Sequence, residues 1–192
     1  PEQEYPNGYF TTCPYPNPEI FEAMEKGLAL AKEKNADLLL ATDPDADRVG
    51  IAMRTEDGEY ELVSGNEMGV LLLDYIASGR KQEGTLPKNP VAVKSIVSTP
   101  LADKVAADYG VELRHTLTGF KWICSVAERM VSTGSHSYLY GYEESFGYNF
   151  GTEVRDKDGI ASSAICAEMT LYWRSKGKSL LDRLNEIFSQ FG

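Results

Sequence analysis

Apolar residues recur at helical spacing in Ile20, Met24, Leu28 and Ala31, and the pattern gives way near Asn35 to an unbroken run, Leu38 to Leu40. The spacing predicts a helix with one buried face, opened by Asn17 with Pro18-Glu19 in its first turn. The continuous run predicts a buried parallel strand. With a short strand over Tyr9 to Thr12 ahead of them, these elements read as one β-α-β unit. Downstream, Val49 to Met53 and Tyr60 to Val63 flank Glu56-Asp57-Gly58-Glu59, whose Asp-Gly pair predicts a hairpin turn. Ser64-Gly65-Asn66 then opens a helix that carries Met68, Leu71, Leu72 and Tyr75 and ends near Gly79.

Lys81 to Pro90 is rich in charge, Gly and Pro, and divides the chain into residues 1-84 and 85-192. The alternation then restarts: strand Val91 to Val97, helix Leu101 to Tyr109, strand Val111 to His115, helix Gly119 to Ser132, strand Tyr138 to Tyr140 and helix Ile160 to Lys176. A last helix, Ser179 to Phe191, lines up Leu180, Leu181, Leu184, Ile187 and Phe188 as a packing stripe. The predicted class is α/β, with two doubly wound, mostly parallel sheets, the first of them truncated. The chain opens on Pro1 without a methionine and closes just after an amphipathic stretch, so it is expected to be an excised piece whose incomplete first sheet either self-associates through its open edge or leaves the N-terminal part poorly ordered.

Composition narrows the classes. In 192 residues, 42% hydrophobic content suffices for a core, and 19 basic against 29 acidic side chains give a net charge of −10. That balance argues against a nucleic-acid or anionic-membrane partner. The apolar runs are far too short to span a bilayer. Cys13, Cys124 and Cys166 are widely spaced and odd in number, which fits buried free thiols in a cytoplasmic protein rather than zinc or redox pairs. His115 and His136 lack a nearby ligand-type partner and stay outside the candidate site.

Chemistry concentrates in two segments. In Asp43-Pro44-Asp45-Ala46-Asp47-Arg48 three carboxylates alternate directly after an apolar strand. Like charges so close repel and raise one another's pKa, so the arrangement is stable chiefly around a hard cation. An EF-hand is excluded, because its register would need glycine at Arg48 and a bidentate glutamate at Arg54. A rival reading takes Asp45-Ala46-Asp47-Arg48-Val49 as the D-x-D-x-V pattern of a haloacid-dehalogenase-type aspartyl phosphatase with Asp45 as nucleophile.

The second segment, Gly141-Tyr142-Glu143-Glu144-Ser145-Phe146-Gly147-Tyr148, offers carboxylates and a hydroxyl suited to sugar hydroxyls, with Phe146 and Tyr148 as walls. Between the two, Thr118-Gly119-Phe120-Lys121 opens a helix whose free N–H groups, hydroxyl and ammonium suit an anion such as phosphate. Arg155-Asp156-Lys157-Asp158-Gly159 is a charge run before another helix.

Taken in order, Pro16-Asn17-Pro18-Glu19, the aspartate loop, Thr118-Gly119 and Gly141-Tyr142-Glu143-Glu144-Ser145-Phe146-Gly147 resemble the α-D-phosphohexomutase superfamily of phosphoglucomutases and phosphomannomutases. The resemblance implies the second half of that family's domain two plus its domain three. It also implies Mg²⁺ on Asp43, Asp45 and Asp47, sugar contacts from Glu143 and Ser145, and Arg48 beside the reacting phosphate. Thr118, Gly119 and Lys121 would bind substrate phosphate, and Lys157 matches a lysine considered as general acid or base. The implied substrate is a hexose phosphate, glucose or mannose, with a pentose phosphate as the alternative inside the superfamily. No Thr-Ala-Ser-His-Asn-Pro-like phosphoserine segment occurs in the 192 residues, so no turnover is expected of them alone.

Overall fold

The computed structural model describes residues 2–192. The first of these run in turns, and the strand expected over Tyr9 to Thr12 is not formed. Asn7 Oδ1 accepts from the Tyr9 N–H at 3.0 Å, and Phe10 N to Asn7 O and Cys13 N to Phe10 O close successive turns. A short polar side chain that bonds its own backbone competes with strand pairing. Asn17 likewise caps a turn, through Glu19 N at 3.0 Å, and helix α1 (Phe21–Lys34) begins later than expected. Met24, Leu28 and Ala31 form its buried face.

Strands β1 (Leu38–Thr42), β2 (Val49–Arg54) and β3 (Tyr60–Val63) make an antiparallel sheet in that order. The parallel strand and β-α-β unit expected here are therefore corrected: Leu38 pairs with Met53 and Thr42 with Val49, so Asp43–Arg48 is the tip of a hairpin. An antiparallel pair needs only a short connection, whereas a parallel partner needs a crossover. The Asp57-Gly58 turn between β2 and β3 forms as the dipeptide predicts, with Gly58 at φ 85°.

Ser64 and Glu67 make a reciprocal capping box at the start of α2 (Gly65–Gln82), which runs past Gly79. The second sheet has the order β5-β4-β6-β7, from β4 (Pro90–Ser95), β5 (Glu112–Thr116), β6 (Ser137–Glu143) and β7 (Gly147–Phe150). β4 pairs in parallel with β5 and β6, and β7 returns antiparallel along β6. β7 was not expected. Phe146 enters the left-handed region at φ 65° and turns the chain back, so the expected loop Gly141–Tyr148 is a tight hairpin. Helices α3 (Leu101–Tyr109), α4 (Phe120–Ser132), α5 (Gly159–Ser175) and α6 (Leu180–Phe191) lie within a residue or so of the expected spans.

The second sheet is sandwiched. Val91, Val93 and Tyr138 pack on Phe120, Ile123, Ala127 and Met130 of α4, and Tyr140 and Tyr142 face the side of α2. α6 closes over α2 and α3, and α5 packs on β7 while reaching β1 and β2, so one apolar cluster runs from Ile51 to Ile187. Inside it Asp74, fully buried, accepts from Arg183 Nε at 2.9 Å, Arg183 Nη2 at 2.6 Å and the Tyr109 hydroxyl at 2.7 Å. Of the three free thiols only Cys166 is fully buried, and burial pushes it up to about 12; Cys124, half-buried, is pushed up to about 11. No helix among the described residues is long and apolar enough to cross a membrane.

Gly65 brings α2 against the β6–β7 turn. A Cβ there would stand 1.8 Å from the Glu144 carbonyl oxygen and 3.0 Å from Phe146 N, and neither backbone atom can rotate away. Gly65→Ala is expected to destabilise the chain by about 1–3 kcal/mol through overpacking. Gly79→Ala, with nothing within 4 Å of the added carbon, is expected to stabilise by about 0.5–1 kcal/mol. Urea midpoints of the two variants check the pair; equal midpoints would contradict the close approach.

Candidate active site

The hairpin tip between β1 and β2 is held by its own first carboxylate. Asp43, 5% exposed, accepts from Asp47 N at 3.1 Å and Arg48 N at 3.0 Å on Oδ1, and from Arg48 Nε at 2.7 Å on Oδ2. Ala46 takes φ 57°, which lets the chain reverse. Asp45 is exposed and makes no hydrogen bond or ion pair among the described residues. Asp47 meets Lys157 Nζ at 2.8 Å. One oxygen from each aspartate lies within 4.8 Å of those of the other two, an all-oxygen set suited to a hard divalent cation.

The electrostatics separate Asp43 from Asp47. Burial alone would raise Asp43, but the hydrogen bonds from the Arg48 N–H and guanidinium outweigh it and lower its pKa. Asp47 is raised, by burial first and also by repulsion from Asp43, against the pull of Lys157. Lys157 and Arg48 are both raised: burial opposes, and their carboxylate partners prevail. Arg48 Nη1 also reaches Glu19 at 3.4 Å.

The β6–β7 hairpin meets this tip directly. Val49 N donates to Phe146 O at 3.1 Å, Arg48 and Gly147 form an isolated antiparallel bridge, and Gly159 N at the start of α5 donates to Ala46 O at 2.9 Å. Asp158 caps α5 through Ile160 N and Ala161 N, which sets Lys157 just before the helix. The lysine then crosses Gly147, where a Cβ would lie 2.3 Å from its Cδ, to reach Asp47. Arg155, in the same charge run, pairs instead with Glu128 at 2.7 Å.

Glu143 is buried and its Oε1 accepts the Gly119 N–H. That N–H is therefore occupied by a carboxylate and is not the free anion donor expected of it. Thr118 and Lys121 are exposed, and the Lys121 ammonium stands 5.1 Å from the Trp122 ring centroid. Neither they nor the half-buried Ser145 make a hydrogen bond or ion pair with the aspartate loop among the described residues. Tyr148, expected as a pocket wall, is fully buried, its hydroxyl 3.5 Å from Gly65 O; Phe146 packs against the core cluster. Sequence reasoning did not single out Glu144, whose Oε2 accepts from Ser95 Oγ at 2.7 Å and Ser98 Oγ at 3.2 Å. The second carboxylate of the Glu143-Glu144 pair was the only available signal.

The chain matches the family described as phosphoglucomutase/phosphomannomutase, alpha/beta/alpha domain II, over residues 1–58, and alpha/beta/alpha domain III over residues 64–191. It is 36% identical over 196 aligned positions to the phosphopentomutase of Mus musculus, covering 100% of this chain and 32% of that protein. It is 35% identical over 193 positions to a probable phosphomannomutase of Haemophilus influenzae, covering 100% and 37%. The chain thus spans about a third of the length of these relatives. A putative phosphomannomutase from Thermus thermophilus, known as a crystal structure, superposes with a TM-score of 0.68 at 27% identity, over 91% of this chain and 35% of that one.

Proposed function

The chain belongs to the phosphoglucomutase/phosphomannomutase family, and from that premise we propose that it forms the metal-binding and sugar-binding walls of a Mg²⁺-dependent phosphosugar mutase. The parent enzyme would move phosphate between C1 and C6 of a hexose phosphate, glucose or mannose, through a phosphoserine. The observation that carries this reading is the direct joining of the two motifs, by the Arg48–Gly147 bridge and the hydrogen bond from Val49 N to Phe146 O at 3.1 Å.

In this reading Asp43, Asp45 and Asp47 hold Mg²⁺, which when bound offsets charge on the phosphoryl group. The transferring phosphoryl group spreads negative charge over its equatorial oxygens, so positioning and charge neutralisation dominate. Arg48 spends Nε on Asp43 and Nη1 on Glu19, which leaves Nη2 for a phosphate oxygen. Lys157, its pKa raised by Asp47, stands protonated at neutral pH and would act as a proton donor or fixed positive charge, not as a base. Glu143 keeps Oε2 for a sugar hydroxyl, and Ser145 lies two residues on. Thr118 and Lys121, exposed at the start of α4, would offer a hydroxyl and an ammonium to the substrate phosphate, while the Gly119 N–H holds Glu143.

A pentose phosphate is the second reading, supported by the likeness to the Mus musculus phosphopentomutase. The aspartyl-phosphatase reading is set aside, because the family match covers both motifs and that reading leaves Glu143–Ser145 without a role. A cytoplasmic location belongs to the same proposal, supported by three thiols left free.

Titrating glucose 1-phosphate into the Mg²⁺-loaded ¹⁵N chain is expected to shift the amides of Gly119, Glu143 and Ser145 without turnover. Hydrolysis of a generic phosphomonoester that disappears in Asp45→Asn, or silence with every hexose and pentose phosphate, would refute the proposal.

A further inference from the structure

Glu143 and Glu144 are neighbours that face opposite ways. Glu143 turns to the Gly119 N–H at the start of α4, while Glu144 turns back beneath β4. There its Oε2 accepts from Ser95 Oγ at 2.7 Å and Ser98 Oγ at 3.2 Å, and the two serine oxygens lie 2.7 Å apart. Both serines are buried, so each hydroxyl needs a partner, and a carboxylate acceptor makes the bond charge-assisted.

The seat that receives Glu144 is itself fixed. Lys94, 2% exposed, donates to Ser98 O at 3.0 Å and Thr99 O at 2.9 Å and pairs with Asp103 at 3.1 Å. Ile96 N donates to Thr116 O, and Thr99 N to Asn66 Oδ1 at 2.8 Å, which ties the turn to β5 and to α2. Gly65 stands against the Glu144 carbonyl from the other side. Opposite Glu144, the β6–β7 turn is held along its outer flank by Val49 N and the Arg48–Gly147 bridge.

We infer that Ser95 and Ser98, acting through the Glu144 carboxylate, are positioning residues that set where Glu143 and Ser145 stand in the cleft. The inference rests on the proposed sugar-binding role of those two side chains. Glu144 does not touch the sugar; it fixes the turn whose flanking residues do. A group that only stabilised the fold would leave the Gly119–Glu143 contact in place.

The test uses the whole 192-residue chain, ¹⁵N-labelled, as Glu144→Ala, Glu144→Gln and the Ser95→Ala/Ser98→Ala double variant. The Gly119 amide proton, bonded to a carboxylate, reports Glu143 from a segment that none of the substitutions touches. Glu144→Ala and the double variant are expected to move that resonance and to weaken glucose 1-phosphate binding at least about tenfold, near 1.4 kcal/mol. Glu144→Gln, which keeps an acceptor oxygen, should stay close to wild type, and Mn²⁺ binding at the aspartates should be unchanged in all three. A Gly119 resonance unmoved in Glu144→Ala and in the double variant overturns the inference, whether or not their melting temperatures fall. Wild-type chain that shows no shift with any sugar phosphate refutes the sugar-binding reading, while the Gly119 resonance still decides the positioning.

Discussion

Replacing Arg183 with methionine is expected to lower the unfolding free energy by about 3–5 kcal/mol, because it leaves a buried carboxylate without its counter-ion. Asp74 is 0% exposed, and three of its hydrogen bonds come from Arg183 and Tyr109. The hydrogen bonds that Arg183 donates to Asp74 raise its pKa against the opposing effect of burial, and burial followed by the Asp74 charge raises Tyr109. The guanidinium also lies 5.0 Å from the Trp173 ring centroid and 3.0 Å from Glu186, so its loss opens the junction of α2, α5 and α6. Arg174, paired with Asp37 where the two side chains are 51% and 49% exposed, should cost no more than about 1 kcal/mol when replaced by methionine. Urea unfolding with an unchanged slope checks both, and the double variant Asp74→Leu/Arg183→Met should recover much of the loss. A small effect of Arg183→Met alone would mean that water reaches Asp74.

Asp45→Asn is expected to weaken Mg²⁺ or Mn²⁺ binding about a hundredfold while leaving the fold unchanged, since a hard-cation site is tuned by its carboxylate count. Asp45 is the clean probe. Asp43 organises its own loop and Asp47 answers Lys157, so replacing either would disturb more than the donor set. The pH dependence follows from Asp47, whose folded-state pKa lies above the usual aspartate value because of burial and the Asp43 charge. A proton there competes with the cation. Binding is therefore complete above the folded pKa of Asp47 and is lost as pH falls through it, starting at higher pH than an ordinary aspartate would dictate. The same shift has a stability sign: a raised carboxyl favours the fold below its unfolded pKa, and that contribution is lost as pH rises through the folded value. The cation compensates at neutral pH, so its thermal stabilisation should be large at pH 7 and vanish in acid. Calorimetric titration across that range, unchanged by Asp45→Asn or independent of pH, would remove the metal assignment.

Helices α3 to α6, the Asp57-Gly58 hairpin and the helix start at Ser64 were legible because each is decided by residues within one or two turns of one another. The aspartate motif and Glu143 could be picked out for the same reason: crowded carboxylates are conspicuous in any fold. The direction of β1 could not, because an apolar run reads alike whether its partner is parallel or antiparallel, and the choice lay with the pairing of Leu38–Thr42 to β2. Tyr148 looked like a pocket wall until β7 carried it into the core. Lys157 stood out only through the family resemblance, and it took the packing of α5 on the hairpin tip to carry its ammonium across Gly147 to Asp47. Which glutamate faces Gly119 and which faces Ser95 depends on how β6 lies beside β4. The order of residues alone settles which groups are available and most of the elements that bear them. Their directions and partners were left to tertiary packing, since contacts between residues tens of positions apart leave no local periodicity to read.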